Sequence, residues 1–146
     1  MRLPVAFALA LLTPALFTAV SAHSHAYLDR AEPRVGSSVS SAPRQLSLWF
    51  TQNLEPAFSS AAVSDSSGAR VDLGARVDPA NRSLMRVPLK PLRPGSYKLY
   101  AFDEIDPGAI YSSEFLKPFE EMGETLNVQE RDTLTKPLQV LHHTED

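Results

Sequence analysis

From residue 45 the chain settles into a two-residue rhythm. Gln45–Phe50 places Leu46, Leu48 and Phe50 on one face and Gln45, Ser47 and Trp49 on the other, the pattern of a half-buried strand. Ser60–Asp65 and Ala69–Leu73 are further strand candidates, joined by a turn at Ser66-Ser67-Gly68. Ser83–Leu89 is another, its Pro88 suited to an edge or a strand end. Pro91–Gly95 makes a turn, and Ser96–Phe102 leaves it with alternating polarity. Ala26–Glu32 supplies a short first strand, closed by Pro33 and Gly36. Short strands separated by Pro, Gly and Ser turns predict an all-β, Ig-like or cupredoxin-like Greek-key sandwich. The stretch from Leu92 through Gly95 to Tyr97 has the spacing of a tyrosine corner, in which a phenol hydroxyl ties back to upstream backbone.

Two regions break this rhythm. Leu3–Val20 is an almost uncharged apolar run behind Met1-Arg2, ending in the small residues Val20-Ser21-Ala22. It reads as a secretory signal peptide, residues 1–22, with an alternative cut after Ser24. After Phe102 the alternation deteriorates. Ala109–Phe115 is a candidate last strand, and Phe119–Gly123 and Thr125–Thr135 are candidate short helices with poor apolar spacing. The sandwich is therefore drawn as residues 23–116, and 117–146 as a loosely ordered tail.

Charge divides the chain at the same point. His23–Phe102 carries ten Lys/Arg against six Asp/Glu, and Asp103–Asp146 three against eleven. Neither part has the basic stripe of a nucleic-acid-binding domain. There is no cysteine, so an exported chain of this kind rests on its apolar core rather than on disulfides.

The chain has four histidines, two of which, His23 and His25, stand at the expected processing site. A cut after Ala22 makes His23 the amino terminus. The free amine, two amides and the imidazole of His25 then offer four nitrogens in a plane, which suits Cu(II) or Ni(II). A cut after Ser24 puts the amine on His25, where amine and ring chelate together and further donors come from the fold. In both cases the donors must shed protons, so binding strengthens as pH rises. No histidine lies between His25 and His142. A Ser/His/Asp constellation in the folded middle is thereby excluded, and the expectation is a binding protein, not an enzyme. His142-His143, beside Glu145 and Asp146, is a second candidate metal-binding pair.

The stretch His25–Val71, beginning His-Ala-Tyr-Leu and containing Pro43-Arg44-Gln45-Leu46, followed by Pro91–Phe102, resembles the CopC family of periplasmic copper-resistance proteins. The resemblance covers about residues 23–102. It implies a seven-stranded Greek-key sandwich that binds Cu(II) in the periplasm, with His25 as the amino-terminal ligand and His23 additional to it. It also implies copper resistance or homeostasis as the role, and a CopD-type inner-membrane importer or other periplasmic copper proteins as partners.

The departures from the family lie at the ligands. Gln52 stands where the family usually has an acidic residue, with Glu55 three positions on. The family's Asp-x-His-Pro motif is matched only by Glu104-Ile105-Asp106-Pro107, with Asp106 in place of histidine. Glu104 and Asp106 are accordingly the candidates to complete the copper site. The family's methionine-rich Cu(I) loop has no counterpart: Met85 reads as core and Met122 falls in the tail. An oxidative enzyme built on a histidine brace needs a second histidine in the core, which this chain does not have. The alternative to a copper carrier is a degraded sandwich that serves as an interaction module without a complete metal site.

Overall fold

The computed structural model describes residues 25–106 and 108–130. The leader, His23 and the His142-His143 pair lie outside the described residues. Among the described residues, eight strands form two four-stranded sheets. They are β1 (Leu28–Glu32), β2 (Ser38–Val39), β3 (Gln45–Phe50), β4 (Ser60–Asp65), β5 (Arg76–Val77), β6 (Leu84–Pro88), β7 (Gly95–Phe102) and β8 (Glu124–Val128). The first sheet has the order β1-β3-β6-β5 and the second β2-β8-β7-β4. Among the described residues no helix is long and apolar enough to cross a membrane.

The alternation of β3 turns into burial as expected: Leu46, Leu48 and Phe50 face the second sheet and pack with Met85 and Val87 of β6 and Val63 of β4. Met85 is fully buried, the core role read from sequence. From β7, Tyr97 and Leu99 point into the same core.

The corner at Tyr97 is present. Its hydroxyl donates to the Arg93 carbonyl at 2.7 Å and accepts from the Arg93 N–H at 3.1 Å. Tyr97→Phe keeps the buried ring and strands both backbone groups, so a loss of about 1–3 kcal/mol is expected. Urea unfolding of the two proteins at neutral pH measures it.

Residues 69–73 differ from the expected strand. They form only isolated bridges, Ser64 with Arg70 and Asp72 with Leu89. The segment steps from the second sheet to the first, and the Asp72 side chain makes contacts that a ladder would otherwise supply. Its carboxylate accepts from Val63 N–H at 2.9 Å, Arg70 Nε at 2.7 Å, Arg70 Nη2 at 2.9 Å and Gly74 N–H at 3.1 Å. The remaining Arg70 nitrogen, Nη1, donates to the carbonyl of Ile110.

Beyond Phe102 the structure corrects three expectations. Ala109–Phe115 is not a strand: Ala109–Tyr111 is a 3-10 turn, with Ile110 buried on the outer face of the second sheet against Ala62 and Tyr100. A longer 3-10 turn follows at Lys117–Met122. Thr125 belongs to a strand, not a helix: β8 pairs antiparallel with β7 from Gly95↔Val128 to Leu99↔Glu124, and parallel with β2. Leu126 and Val128 are buried in the main core. The sandwich therefore extends to Val128, past the expected boundary at residue 116. The physical reason is that Glu124–Val128, rather than Ala109–Phe115, supplies the last strand, pairing with β7 on the edge opposite β4. The intervening segment instead covers the outer face, held by a cluster of Phe102, Phe115 and Phe119 with ring centroids 5.2–5.6 Å apart.

Candidate metal centre

One end of the sandwich gathers the starts of β1 and β4 with the ends of β3 and β7, because Leu28 pairs with Phe50 and Ser60 with Phe102. The chain enters there. Tyr27 N–H donates to Thr51 Oγ1 at 3.0 Å, and Thr51 N–H donates back to the Tyr27 carbonyl at 2.9 Å. This strap fixes His25 two residues upstream. Asp103 emerges at the same end, directly after β7, its carbonyl accepting from Ser59 Oγ at 3.3 Å.

The two termini of this arrangement meet in one carboxylate. Asp103 Oδ2 accepts from the Ala26 N–H at 2.8 Å and lies 3.5 Å from His25 Nδ1. The imidazole is mostly exposed, at 63%, and the carboxylate is less so, at 28%. A cleft of about 670 Å³ adjoins them, lined among others by Gln52, Leu54, Phe58, Glu104, Ile105 and Asp106. The Ile105 N–H donates to the Phe58 carbonyl at 3.0 Å, which holds the Asp103–Asp106 segment against the loop before β4.

Of the residues expected to bind metal, His25 stands beside Asp103 at the entry of the chain, and His23 is outside the described residues. Glu104 and Asp106 line the adjoining cleft. Among the described residues, however, no three His, Cys, Asp or Glu side chains are grouped to hold an ion. Glu55 is engaged by Arg82 Nη2 at 3.1 Å. The residue that sequence reasoning missed is Asp103, the first acidic position after the alternation of β7. Its signal was present: the charge break begins there.

The donor pair fits a small divalent ion. Two donors each about 2 Å from one ion stand roughly 2.8–4 Å apart, and the His25–Asp103 separation is 3.5 Å. Imidazole nitrogen with carboxylate oxygen is a donor set that Cu(II) accepts in tetragonal geometry.

Comparison with known proteins places the scaffold. A family model described as the CopC domain matches residues 28–100. Protein YobA of Escherichia coli K12 is 32% identical over 93 residues, covering 62% of this chain and 74% of that protein; the YobA of Shigella flexneri matches equally. The chain belongs to the CopC family. The crystal structure of CopC from Methylosinus trichosporium OB3b covers 75% of this chain and 99% of its own, with 24% identity and a TM-score of 0.54. That of PcoC, a methionine-rich copper resistance protein from Escherichia coli, covers 73% of this chain and 100% of its own, with 24% identity and a TM-score of 0.51. At this identity the likeness establishes the sandwich. The CopC match starts after His25 and stops before Asp103, so both donors of the close pair flank the matched scaffold.

Proposed function

We propose that this CopC-family chain is a periplasmic copper(II)-binding protein of copper resistance or homeostasis, without catalysis. Cleavage of the leader exposes an amine next to, or two residues before, the His25 ring. Amine and imidazole chelate Cu(II), His23 assists when the cut falls after Ala22, and Asp103 adds a carboxylate from the fold. Glu104 and Asp106 lend negative charge to the cleft and are the remaining candidates to complete the set. A CopD-type membrane importer or another periplasmic copper protein is the partner that gives or takes the ion.

The observation that carries this reading is the 3.5 Å approach of His25 Nδ1 to Asp103 Oδ2 at the entry of the chain. Outside a metal site, such a pair at the surface is worth little to stability. The alternative reading, a sandwich that serves as an interaction module, is favoured by the absence of a three-ligand group among the described residues.

Equilibrium dialysis of the exported, trimmed protein against micromolar cupric salt separates the two. One ion per chain is expected, and none retained ends the copper reading. Asp103→Ala removes a donor and is expected to weaken binding by more than the roughly 10–100-fold of an outer-shell change. An unchanged affinity in that variant removes Asp103 from the site.

A further inference from the structure

We propose that the cleft beside His25 and Asp103 is a docking surface for a partner protein that presents an apolar side chain flanked by Lys or Arg. The inference deepens the copper(II) reading above by naming the kind of partner that reaches this end of the sandwich. Its test is run without metal, so that the two readings fail separately.

Three observations converge. The first is a large ring held out to solvent on a fixed backbone. Phe58 is 49% exposed, whereas every other phenylalanine among the described residues is at least partly buried. The Phe58 N–H donates to the Glu55 carbonyl at 3.0 Å, and its carbonyl accepts from the Ile105 N–H at 3.0 Å. Leu54 and Ile105 line the same cleft of about 670 Å³. Leu54 is pinned too: its N–H donates to the Arg82 carbonyl at 2.9 Å, and its carbonyl accepts from Arg82 Nη2 at 3.1 Å. An incoming side chain thus meets a preformed apolar wall, and little ordering is left to do on this side.

The second is charge. The described lining residues include Glu55, Asp103, Glu104 and Asp106 and no Lys or Arg. Arg82 Nη2 engages Glu55 at 3.1 Å, and the other three carboxylates make the cleft acidic. A concave wall of one sign draws the opposite charge and turns away its own. The complement of this surface is therefore apolar and basic together.

The third is continuity with the candidate metal centre. Asp103 belongs both to the cleft and to the 3.5 Å pair with His25. The imidazole is mostly exposed, so an ion carried there is reached from outside. A protein that gives or takes that ion covers the cleft as it does so.

The test uses the full exported chain, metal-free and labelled with nitrogen-15. It is titrated with two acetylated and amidated pentapeptides, Lys-Leu-Lys-Phe-Lys and Glu-Leu-Glu-Phe-Glu, and with hexylamine, while backbone amide shifts are followed by NMR. The basic peptide is expected to bind with a Kd below about 1 mM and to shift the amides of Phe58, Glu104 and Ile105. The acidic peptide is expected to leave them in place. F58S is expected to weaken the basic peptide by about tenfold, the loss of an interface anchor, while amides remote from the cleft keep their positions and show the fold intact. Salt at about 0.5 M is expected to weaken binding to wild type several-fold and to the E104Q/D106N double variant less.

No shift at Phe58 and Ile105 up to that peptide concentration, equal binding of the two peptides, or F58S binding like wild type overturns the inference and leaves the copper reading standing. Equal affinity for hexylamine overturns it as well, since the cleft then takes a small organic cation. Shifts at the same amides on raising protein concentration alone also overturn it, by seating a second copy there. Docking as expected in a protein that retains no copper on dialysis supports the surface and sinks the copper reading alone.

Discussion

Adding one residue ahead of the trimmed amino terminus is expected to reduce Cu(II) affinity by on the order of 100-fold or more, because a lost donor costs more than the roughly 10–100-fold of an outer-shell change. The extension turns the terminal amine into an amide, moves the new amine out of the chelate ring and leaves the fold untouched. Isothermal titration of both forms, each verified by intact mass, reads the effect directly, and equal affinities would take the amine out of the site. The same pair of titrations in urea divides the two cuts. Four nitrogens from His23 to His25 are contiguous and keep the ion on an unfolded chain. An amine on His25 that relies on Asp103, 77 residues distant from Ala26, loses its partner as the chain disperses. Because amine and imidazole bind metal only when unprotonated, affinity in every form falls as pH is lowered.

The second large effect is on stability. Asp72→Ala is expected to cost about 3–5 kcal/mol, since it removes one partner of a buried ion pair and leaves the other uncompensated. The Asp72 side chain is 2% exposed and that of Arg70 26%. Without the carboxylate, the Val63 and Gly74 N–H groups also lose their acceptor. Burial by itself opposes ionisation of Asp72, but Arg70 and the two N–H groups outweigh it and hold the carboxyl below its ordinary 3.8. The unfolded chain therefore takes up the proton first as pH falls. The contribution is complete above about pH 5, where the unfolded carboxyl is almost fully ionised. It disappears as pH drops through the lower folded value. Urea unfolding of wild type and variant at pH 7 should show the full gap, and at a pH well below 3.8 a narrowed one. A gap that does not change with pH would mean that the cost is packing, not charge.

How legible these features were depends on the range of the interaction that makes each. Period-two alternation is local, and it located β3, β6 and β7 almost to the residue. The Tyr97 corner closes over four residues and was readable for the same reason. Strand β8 was not: its five residues follow an acid-rich stretch, and only pairing with both β7 and β2 makes their alternation meaningful. Asp72 was invisible as a structural centre because its acceptance from the Val63 N–H, and the tie of its partner Arg70 to the Ile110 carbonyl, exist only once the chain is folded. At the site, His25 was marked by the processing motif. Asp103 was passed over because the family pattern drew the search to Glu104-Ile105-Asp106-Pro107. What identifies Asp103 is the hydrogen bond from the Ala26 N–H, a contact across the two sheets that joins the residue after β7 to the entry of the chain.

Strands β7 and β8 are direct neighbours, although 21 residues, Asp103 to Gly123, separate them in sequence. That excursion begins with Asp103, Glu104 and Asp106 beside the entry of the chain, and both of its ends are clamped in one sheet. Within it, Ile110 and the Phe115–Phe119 pair pack on the outer face of the second sheet, whereas its first residues lie at the open end of the sandwich. The hydrogen-bonded frame of the second sheet is thus complete without the residues that face the cleft, so substitutions at Asp103, Glu104 and Asp106 leave its ladders intact.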